Sequence, residues 1–120
     1  MVLVDTSVWV SHFREGNKQL ESLLNEGEVV CHPFVIGELA CGNLKNRSEI
    51  LTLLQVLPPA KEATHDEVME FIEEAKLQGK GLGYIDIHLL ASALLSNVSL
   101  WTLDRKLDKA AADLETKYQK

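Results

Sequence analysis

The chain has 120 residues, a common length for one domain, and its 46% hydrophobic and 25% charged residues are ordinary for a soluble globular protein. It has no apolar stretch near the roughly 20 residues that a membrane-spanning helix needs, and no basic segment like that of a signal peptide, so we expect a cytoplasmic protein. The net charge of −6 argues against binding of polyanions over the whole protein surface. Lysines and arginines nevertheless occur in local clusters.

The first half of the chain alternates between short strands and helices. The apolar run from Val2 to Val4 is not interrupted by polar residues, which is typical of a buried parallel strand. Thr6 and Ser7 then offer N-caps for a first helix, and Pro33 suits the first turn of a later one. The predicted strands are at 1–4, 29–31 and 55–57. The first predicted helix begins with 8–13 and is broken near Gly16, and further helices are predicted at 19–25, 33–44 and 48–54.

The second half contains the two clearest helices. Thr64 and Glu67 have the spacing of a capping box, and the helix that they open is predicted to end at Gly79, which can adopt the left-handed conformation. The stretch from Tyr84 to Ser96 is the most apolar helix, and its apolar positions have helical spacing. These positions are Ile87, Leu90, Ala91, Leu94 and Leu95. The predicted elements are helices at 64–78, 84–96 and 105–114 and a buried strand at 99–103.

Strands that alternate with helices predict an α/β fold, with a mainly parallel central sheet flanked by helices and a single domain over residues 1–120. Right-handed crossovers bring the carboxyl ends of parallel strands to one edge of the sheet, where such folds form their sites. Asp5 and Asp104 follow predicted strands, and Asp86 opens a predicted helix whose N-terminus faces the same edge. We therefore expect at least these three acids to lie together.

Glu38 is a fourth acid in an unusual place, because it lies among apolar residues in the middle of a predicted helix. Taken singly, Asp5, Asp86 and Asp104 could each be a helix cap or a solvated residue, and Glu38 could be a solvated helix residue. Acids that converge repel one another, and a divalent cation held by oxygen ligands relieves that repulsion. One or two Mg²⁺ ions held in this way can promote hydrolysis of a phosphodiester, so nucleic acid is the expected substrate. The hydroxyls of Thr6, Ser7 and Thr102 lie beside these acids and could orient water, bind a carboxylate or cap a helix.

The acids lie in four segments whose order and spacing cover nearly the whole chain. The segments are Leu3 to Ser7, His32 to Gly42, Leu82 to Ala93, and Leu100 to Arg105. Together they resemble the PIN domain, and within that family the VapC-type toxins of bacterial and archaeal toxin–antitoxin pairs. One departure is Leu107, since the family usually has an aromatic residue shortly after the last acid, and this difference concerns packing more than chemistry.

The resemblance implies a PIN fold and an endoribonuclease that depends on Mg²⁺ or Mn²⁺ and cleaves structured RNA such as tRNA or rRNA. It also implies a homodimer and a VapB-like antitoxin whose tail enters the acidic site. By position, Asp5 and Asp86 resemble the principal metal ligands of the family, and Glu38 and Asp104 the remaining acids of its tetrad.

Three alternative functions are compatible with parts of this sequence. A non-catalytic RNA- or protein-binding domain of the same fold is disfavoured by the intact acids. A phospho-acceptor receiver domain would have paired acids after the first strand and a Lys after a late strand, where this chain has Thr6 and Asp104. A phosphatase of the haloacid-dehalogenase type would have Asp-x-Asp after its first strand, and Ser7 occupies the second of those positions.

Overall fold

The computed structural model describes residues 1–119, which form a three-stranded sheet and seven helices. The strands are β1 (Val2–Val4), β2 (Val29–Val30) and β3 (Ser99–Trp101). The helices are α1 (Thr6–Glu15), α2 (Lys18–Asn25), α3 (Pro33–Cys41), α4 (Arg47–Gln55), α5 (His65–Glu74), α6 (Tyr84–Ser96) and α7 (Arg105–Asp113). The predicted α/β fold with a parallel sheet flanked by helices is confirmed. No helix within residues 1–119 is long and apolar enough to cross a membrane.

The sheet has the order β2-β1-β3, so the first strand is the central one. Leu3 pairs in parallel with Val30 on one side and with Leu100 on the other. All three residues are buried, which explains why polar residues do not alternate along these strands. Because the strands are parallel, their carboxyl ends lie at one edge of the sheet. Asp5 follows β1 at that edge, and the segment that follows β3 at the same edge leads to Asp104.

Helix α6 packs against α5 and β3 and contributes a large part of the core. Residues 87–93 are buried without interruption, as the apolar composition of this helix predicts. The predicted apolar face is wrong at its end, because Leu94 and Leu95 are 42% and 45% exposed. These two side chains border a surface cavity beside Phe71 of α5 instead of entering the core.

The first helix begins earlier than predicted. It starts at Thr6, and Asp5 takes the N-cap position with an extended backbone. The prediction that Thr6 and Ser7 cap this helix is therefore wrong, since both lie inside its first turn and their hydroxyls bind carboxylates. Helix α3 also differs from the prediction, because it ends at Cys41 and not near residue 44.

Helix α5 has the predicted start but an earlier end. Thr64 Oγ1 accepts a hydrogen bond from the Glu67 amide, and the Glu67 carboxylate accepts one from the Thr64 amide, which confirms the capping box. The helix ends at Glu74, and Lys76 adopts the left-handed conformation with a φ of 54°, so the predicted end at Gly79 is wrong. The early end carries Leu77 into the core, and its amide closes the helix by binding the Ile72 carbonyl at 3.0 Å.

The predicted strand at 55–57 is absent from the sheet. Helix α4 extends through Gln55, and Val56, which is 75% exposed, lies in the turn that follows. The segment after this turn pairs with the end of β2 instead. The Cys31 amide donates to the Pro58 carbonyl, and the Ala60 amide donates to the Cys31 carbonyl, both at 2.9 Å. Proline provides carbonyls but no amide donors, so the pairing stops at this short bridge.

Candidate active site

The acidic edge of the sheet is built around Asp5. The Asp5 amide continues the ladder between β1 and β3 by donating to the Trp101 carbonyl at 2.9 Å. The residue is only 7% exposed, which is unusual for an aspartate. The position of Asp5 is therefore determined by the central strand and not by a flexible loop.

Two hydroxyl groups hold the buried Asp5 carboxylate. Its Oδ2 accepts hydrogen bonds from Ser7 Oγ at 2.8 Å and from Thr102 Oγ1 at 2.7 Å. Each hydroxyl also accepts a bond from the chain that leaves β3: Ser7 from the Leu103 amide at 3.0 Å, and Thr102 from the Asp104 amide at 3.0 Å. Ser7 and Thr102 thus join the carboxyl ends of β1 and β3 through the Asp5 side chain.

Asp104 begins the last helix at the same edge. Its Oδ1 accepts a hydrogen bond from the Leu107 amide at 2.9 Å, as expected of an N-cap residue. The side chain is exposed, in contrast to that of Asp5. Capping thus orients Asp104 while leaving it accessible to solvent.

Asp86 approaches this pair from the first turn of α6. Its Oδ2 accepts a hydrogen bond from the Gly83 amide at 2.9 Å, and the side chain is half-buried. Burial raises the pKa of the Asp86 carboxyl, the Gly83 amide partly offsets that effect, and the carboxylates of Asp5 and Asp104 raise the pKa further. The charges of three acids therefore act on one another, as the sheet geometry predicts.

Glu38 lies at the margin of this group. It is exposed on α3, and its Oε1 accepts a hydrogen bond from Thr6 Oγ1 at 2.7 Å. Thr6 follows Asp5 directly, so this bond fastens Glu38 beside the start of α1. The charge of Glu38 is not among those that shift the pKa of Asp86. The structure thus brings Asp5, Asp86 and Asp104 together and attaches Glu38 through Thr6.

The four carboxylates share a simple arrangement of their oxygens. Each has one oxygen bound by an amide or hydroxyl, as described above. Within residues 1–119, the other oxygen of each carboxylate accepts no hydrogen bond from the protein. These oxygens are Asp5 Oδ1, Glu38 Oε2, Asp86 Oδ1 and Asp104 Oδ2. One oxygen orients each side chain, and the other has no hydrogen-bond donor from the protein.

Comparison with known proteins places the chain in a family. A model of the PIN domain matches residues 2–113. The chain belongs to the PIN-domain family. Within that family it is of the VapC type, since it is 46% identical over 114 residues to Ribonuclease VapC32 of Mycobacterium tuberculosis, in both strain CDC 1551 / Oshkosh and strain H37Rv. That match covers 94% of this chain and 92% of the relative.

Solved structures share the fold of this PIN domain at much lower identity. PAE2754 from Pyrobaculum aerophilum is 20% identical with a TM-score of 0.61, and the match covers 91% of this chain and 78% of the other. FitAcB from Neisseria gonorrhoeae is 21% identical with a TM-score of 0.61, and the match covers 93% and 94%. At these identities the likeness concerns the fold alone.

The donor set of this PIN domain fits a hard divalent cation. No three His, Cys, Asp or Glu side chains within residues 1–119 are arranged as a ready-made cage for a metal ion. Mg²⁺ does not require such a cage, because it usually binds one or two carboxylates and fills its remaining positions with water and phosphate oxygens. The free oxygens of Asp5 and Asp86 suit such an open site, and Asp104 and Glu38 add negative charge around it.

Two features of this PIN domain were not predicted from its sequence. The Gly83 amide orients Asp86, and the spacing of three residues at a helix start resembles that of a capping box, so this contact was within reach of sequence reasoning. The side chain of Lys106 lies over Gly81, in the loop before Asp86. That approach depends on tertiary packing between the loop and α7, and no local pattern indicates it.

Proposed function

We propose that the chain is an endoribonuclease and the toxin of a type II toxin–antitoxin pair, which cleaves structured RNA such as tRNA or rRNA. The observation that carries this proposal is the convergence of Asp5, Asp86 and Asp104, each with one oxygen held by the protein and one without a protein donor. The relative VapC32, which is named a ribonuclease, supports the choice of RNA as substrate. We assign Glu38 to the same site through its bond with Thr6.

The reaction adds one water molecule to a phosphodiester. The water oxygen bonds to phosphorus, a bond between phosphorus and a ribose oxygen breaks, and the two products are a phosphate monoester and a hydroxyl. Because the Gly83 amide holds one oxygen of Asp86, the other oxygen would bind a metal ion that makes the attacking water more acidic. Ser7 and Thr102 hold Asp5 in place while charge develops at the phosphate.

We propose Mg²⁺ or Mn²⁺ as the cofactor, held by Asp5 and Asp86 with Glu38 and Asp104 as the outer acids. When bound, the divalent ion supplies positive charge that acidifies water and stabilises the leaving oxygen. The protein contributes the orientation of the carboxylates, which depends on Ser7, Thr102, Thr6 and the Gly83 amide.

We also propose a VapB-like antitoxin as protein partner, a homodimer as the assembled toxin, and the cytoplasm as the compartment.

The dimer is supported by large apolar side chains that are exposed in the single chain, including Leu53 at 59% and Val56 at 75%. Light scattering is expected to give twice the 13.4 kDa mass of one chain. A mass of one chain at every concentration would exclude the dimer.

The decisive experiment compares the unaltered protein with Asp86→Asn. Asparagine keeps the shape of the side chain but removes its charge, so we expect at least about a 100-fold loss of RNA cleavage. Cleavage by the unaltered protein should stop when EDTA is added and return with Mg²⁺ or Mn²⁺. The matched control is Glu73→Gln, which removes one exposed charge on α5 that is not among those that shift the pKa of Asp86.

Metal binding is measured separately from activity. The electron paramagnetic resonance signal of free Mn²⁺ should fall when the unaltered protein or Glu73→Gln is added, and should fall much less with Asp86→Asn. Thermal unfolding checks that all three proteins are folded. RNA cleavage that persists in EDTA, or full activity of Asp86→Asn, would contradict the proposed chemistry. RNA binding without cleavage under any of these conditions would favour the non-catalytic domain.

A further inference from the structure

A cavity of about 740 Å³ lies beside Glu38, at the margin of the acidic edge. Thr6 and Glu38, the hydrogen-bonded pair described above, form part of its wall. The remaining wall comes from α1, from the end of α3 and from the segment that leads to α4. We call this cavity the α1–α3 groove. Its volume is in the range of pockets that enclose small ligands, and of the four acids only Glu38 lines it.

Two cationic side chains line the α1–α3 groove. Arg14 lies in the last turn of α1, and Lys45 lies in the segment between α3 and α4. Both are exposed, and within residues 1–119 neither forms a hydrogen bond or an ion pair. Lys109 and Lys117, by contrast, are paired with aspartates at 3.0 Å. The cations of the groove are thus available to an anionic ligand, although the protein as a whole is acidic.

The floor of the groove is apolar and partly aromatic. Val10 is 37% exposed there, and Phe13 is half-buried. Phe13 stacks on buried Trp9 with ring centroids 5.8 Å apart and an interplanar angle of 27°. This stacking fixes the Phe13 ring before any ligand arrives. An aromatic platform next to unpaired cations is the combination by which proteins bind single-stranded nucleic acid.

We propose that the α1–α3 groove binds the RNA segment adjoining the scissile phosphate, with Arg14 and Lys45 contacting phosphates and Phe13 contacting a base. This inference rests on the proposed ribonuclease function, because a strand cleaved at the acids needs a neighbouring surface on which its adjoining nucleotides can lie. The groove begins at Glu38 and Thr6 and presents the positive charge that the acids lack. Arg14 and Lys45 are positioning residues in this proposal and take no part in the chemical step.

The test uses the Asp86→Asn protein, so that RNA is bound without being cleaved. Fluorescence anisotropy with a labelled single-stranded RNA of mixed sequence measures affinity at several salt concentrations. Adding Arg14→Gln and Lys45→Gln should weaken binding about tenfold or more. The slope of log affinity against log salt should become shallower by about 0.7 for each phosphate that the protein no longer neutralises. The matched control is Lys18→Gln with Lys61→Gln, which removes two exposed cations that do not line the groove.

A second measurement uses the active protein with and without the groove substitutions. KM should rise while kcat stays within about twofold, because uniform binding is weakened but transition-state interactions are kept. Equal RNA affinity and an equal salt slope in the groove and control variants would overturn the proposal while leaving the ribonuclease function intact. If RNA affinity is unchanged but the groove substitutions abolish binding of the antitoxin, the groove binds a protein partner and not RNA. If the unaltered protein neither binds nor cleaves RNA, both proposals fall together.

Discussion

At the scale of single residues, the hydroxyl of Thr102 has an unusual importance. It donates to Asp5 Oδ2 at 2.7 Å and accepts from the Asp104 amide at 3.0 Å. The residue is 5% exposed, so water cannot easily replace either bond. One oxygen atom thus sets the relative positions of two acids that come from different strands.

We predict that Thr102→Val weakens binding of Mn²⁺ about 10- to 100-fold, because valine has the same shape but cannot hold the Asp5 carboxylate. Isothermal titration calorimetry measures this affinity directly. The variant should also unfold with a free energy about 1 kcal/mol lower. Thr102→Ser, which keeps the hydroxyl, should retain most of the affinity. Unchanged Mn²⁺ binding in the valine variant would show that Asp5 needs no such support.

At the scale of elements, two glycines illustrate how backbone conformation decides the effect of one methyl group. Gly81 has a φ of 75° in the loop before α6, and an added Cβ would lie 2.6 Å from Cδ of Lys106. Gly37 lies in the middle of α3, and an added Cβ there has nothing within 4 Å. The same substitution should therefore have opposite effects at the two positions.

We predict that Gly81→Ala lowers the free energy of unfolding by about 1–2 kcal/mol, because an L-residue is strained in the left-handed region. Gly37→Ala should raise it by about 0.5–1 kcal/mol, because alanine is the better helix former. Urea unfolding followed by circular dichroism measures both. A loss of stability in Gly37→Ala would mean that this stretch of α3 is not the open helical surface described above.

Elements whose ends are determined by local chemistry were predictable from the sequence. The capping box at Thr64 and the apolar run of β1 are examples, and both are confirmed. Ends that depend on distant packing were not. Burial of Leu77 ends α5 before the glycine that was predicted to terminate it, and the pairing between Cys31 and Pro59 replaces the predicted strand at 55–57.

The acids of the candidate site also differ in how far the sequence predicts their positions. Asp5 and Asp104 were placed by a rule of sheet topology, since both follow parallel strands, and Asp86 by its position at a helix start. Glu38 has no such rule, because a residue in the middle of a helix can face any direction. Its place beside the site depends on the bond from Thr6, whose partner is 32 residues away in the chain.

At the scale of the whole molecule, stability should depend on pH through a buried histidine. His32 is 0% exposed and begins α3, where its Nδ1 accepts a hydrogen bond from the Phe34 amide at 2.9 Å. Only the neutral ring can accept this bond. Burial lowers the pKa of His32 from its ordinary value of 6.5, and the charge of Glu62 only partly offsets that effect.

We predict that the free energy of unfolding falls as pH decreases below 6.5, because the unfolded chain binds a proton at His32 before the folded chain does. The contribution is fully present above 6.5 and is lost as pH approaches the lowered pKa. His32→Asn keeps an N-cap acceptor and should flatten this dependence. Urea midpoints at several pH values between 5 and 8 provide the measurement, and an equally steep fall in the variant would exclude His32 as the cause.

The hydroxyl contacts of Asp5 also have a consequence for biosynthesis. Asp5 and Thr102 are 97 residues apart, so the ribosome makes the first acid long before the group that orients it. Domains synthesised from the N-terminus complete such distant contacts only when the later segment has left the exit tunnel. A growing chain therefore carries an incomplete centre until β3 and Asp104 have emerged. If the protein attacks RNA as proposed, this order of assembly keeps the nascent toxin inert beside the translation machinery that produces it.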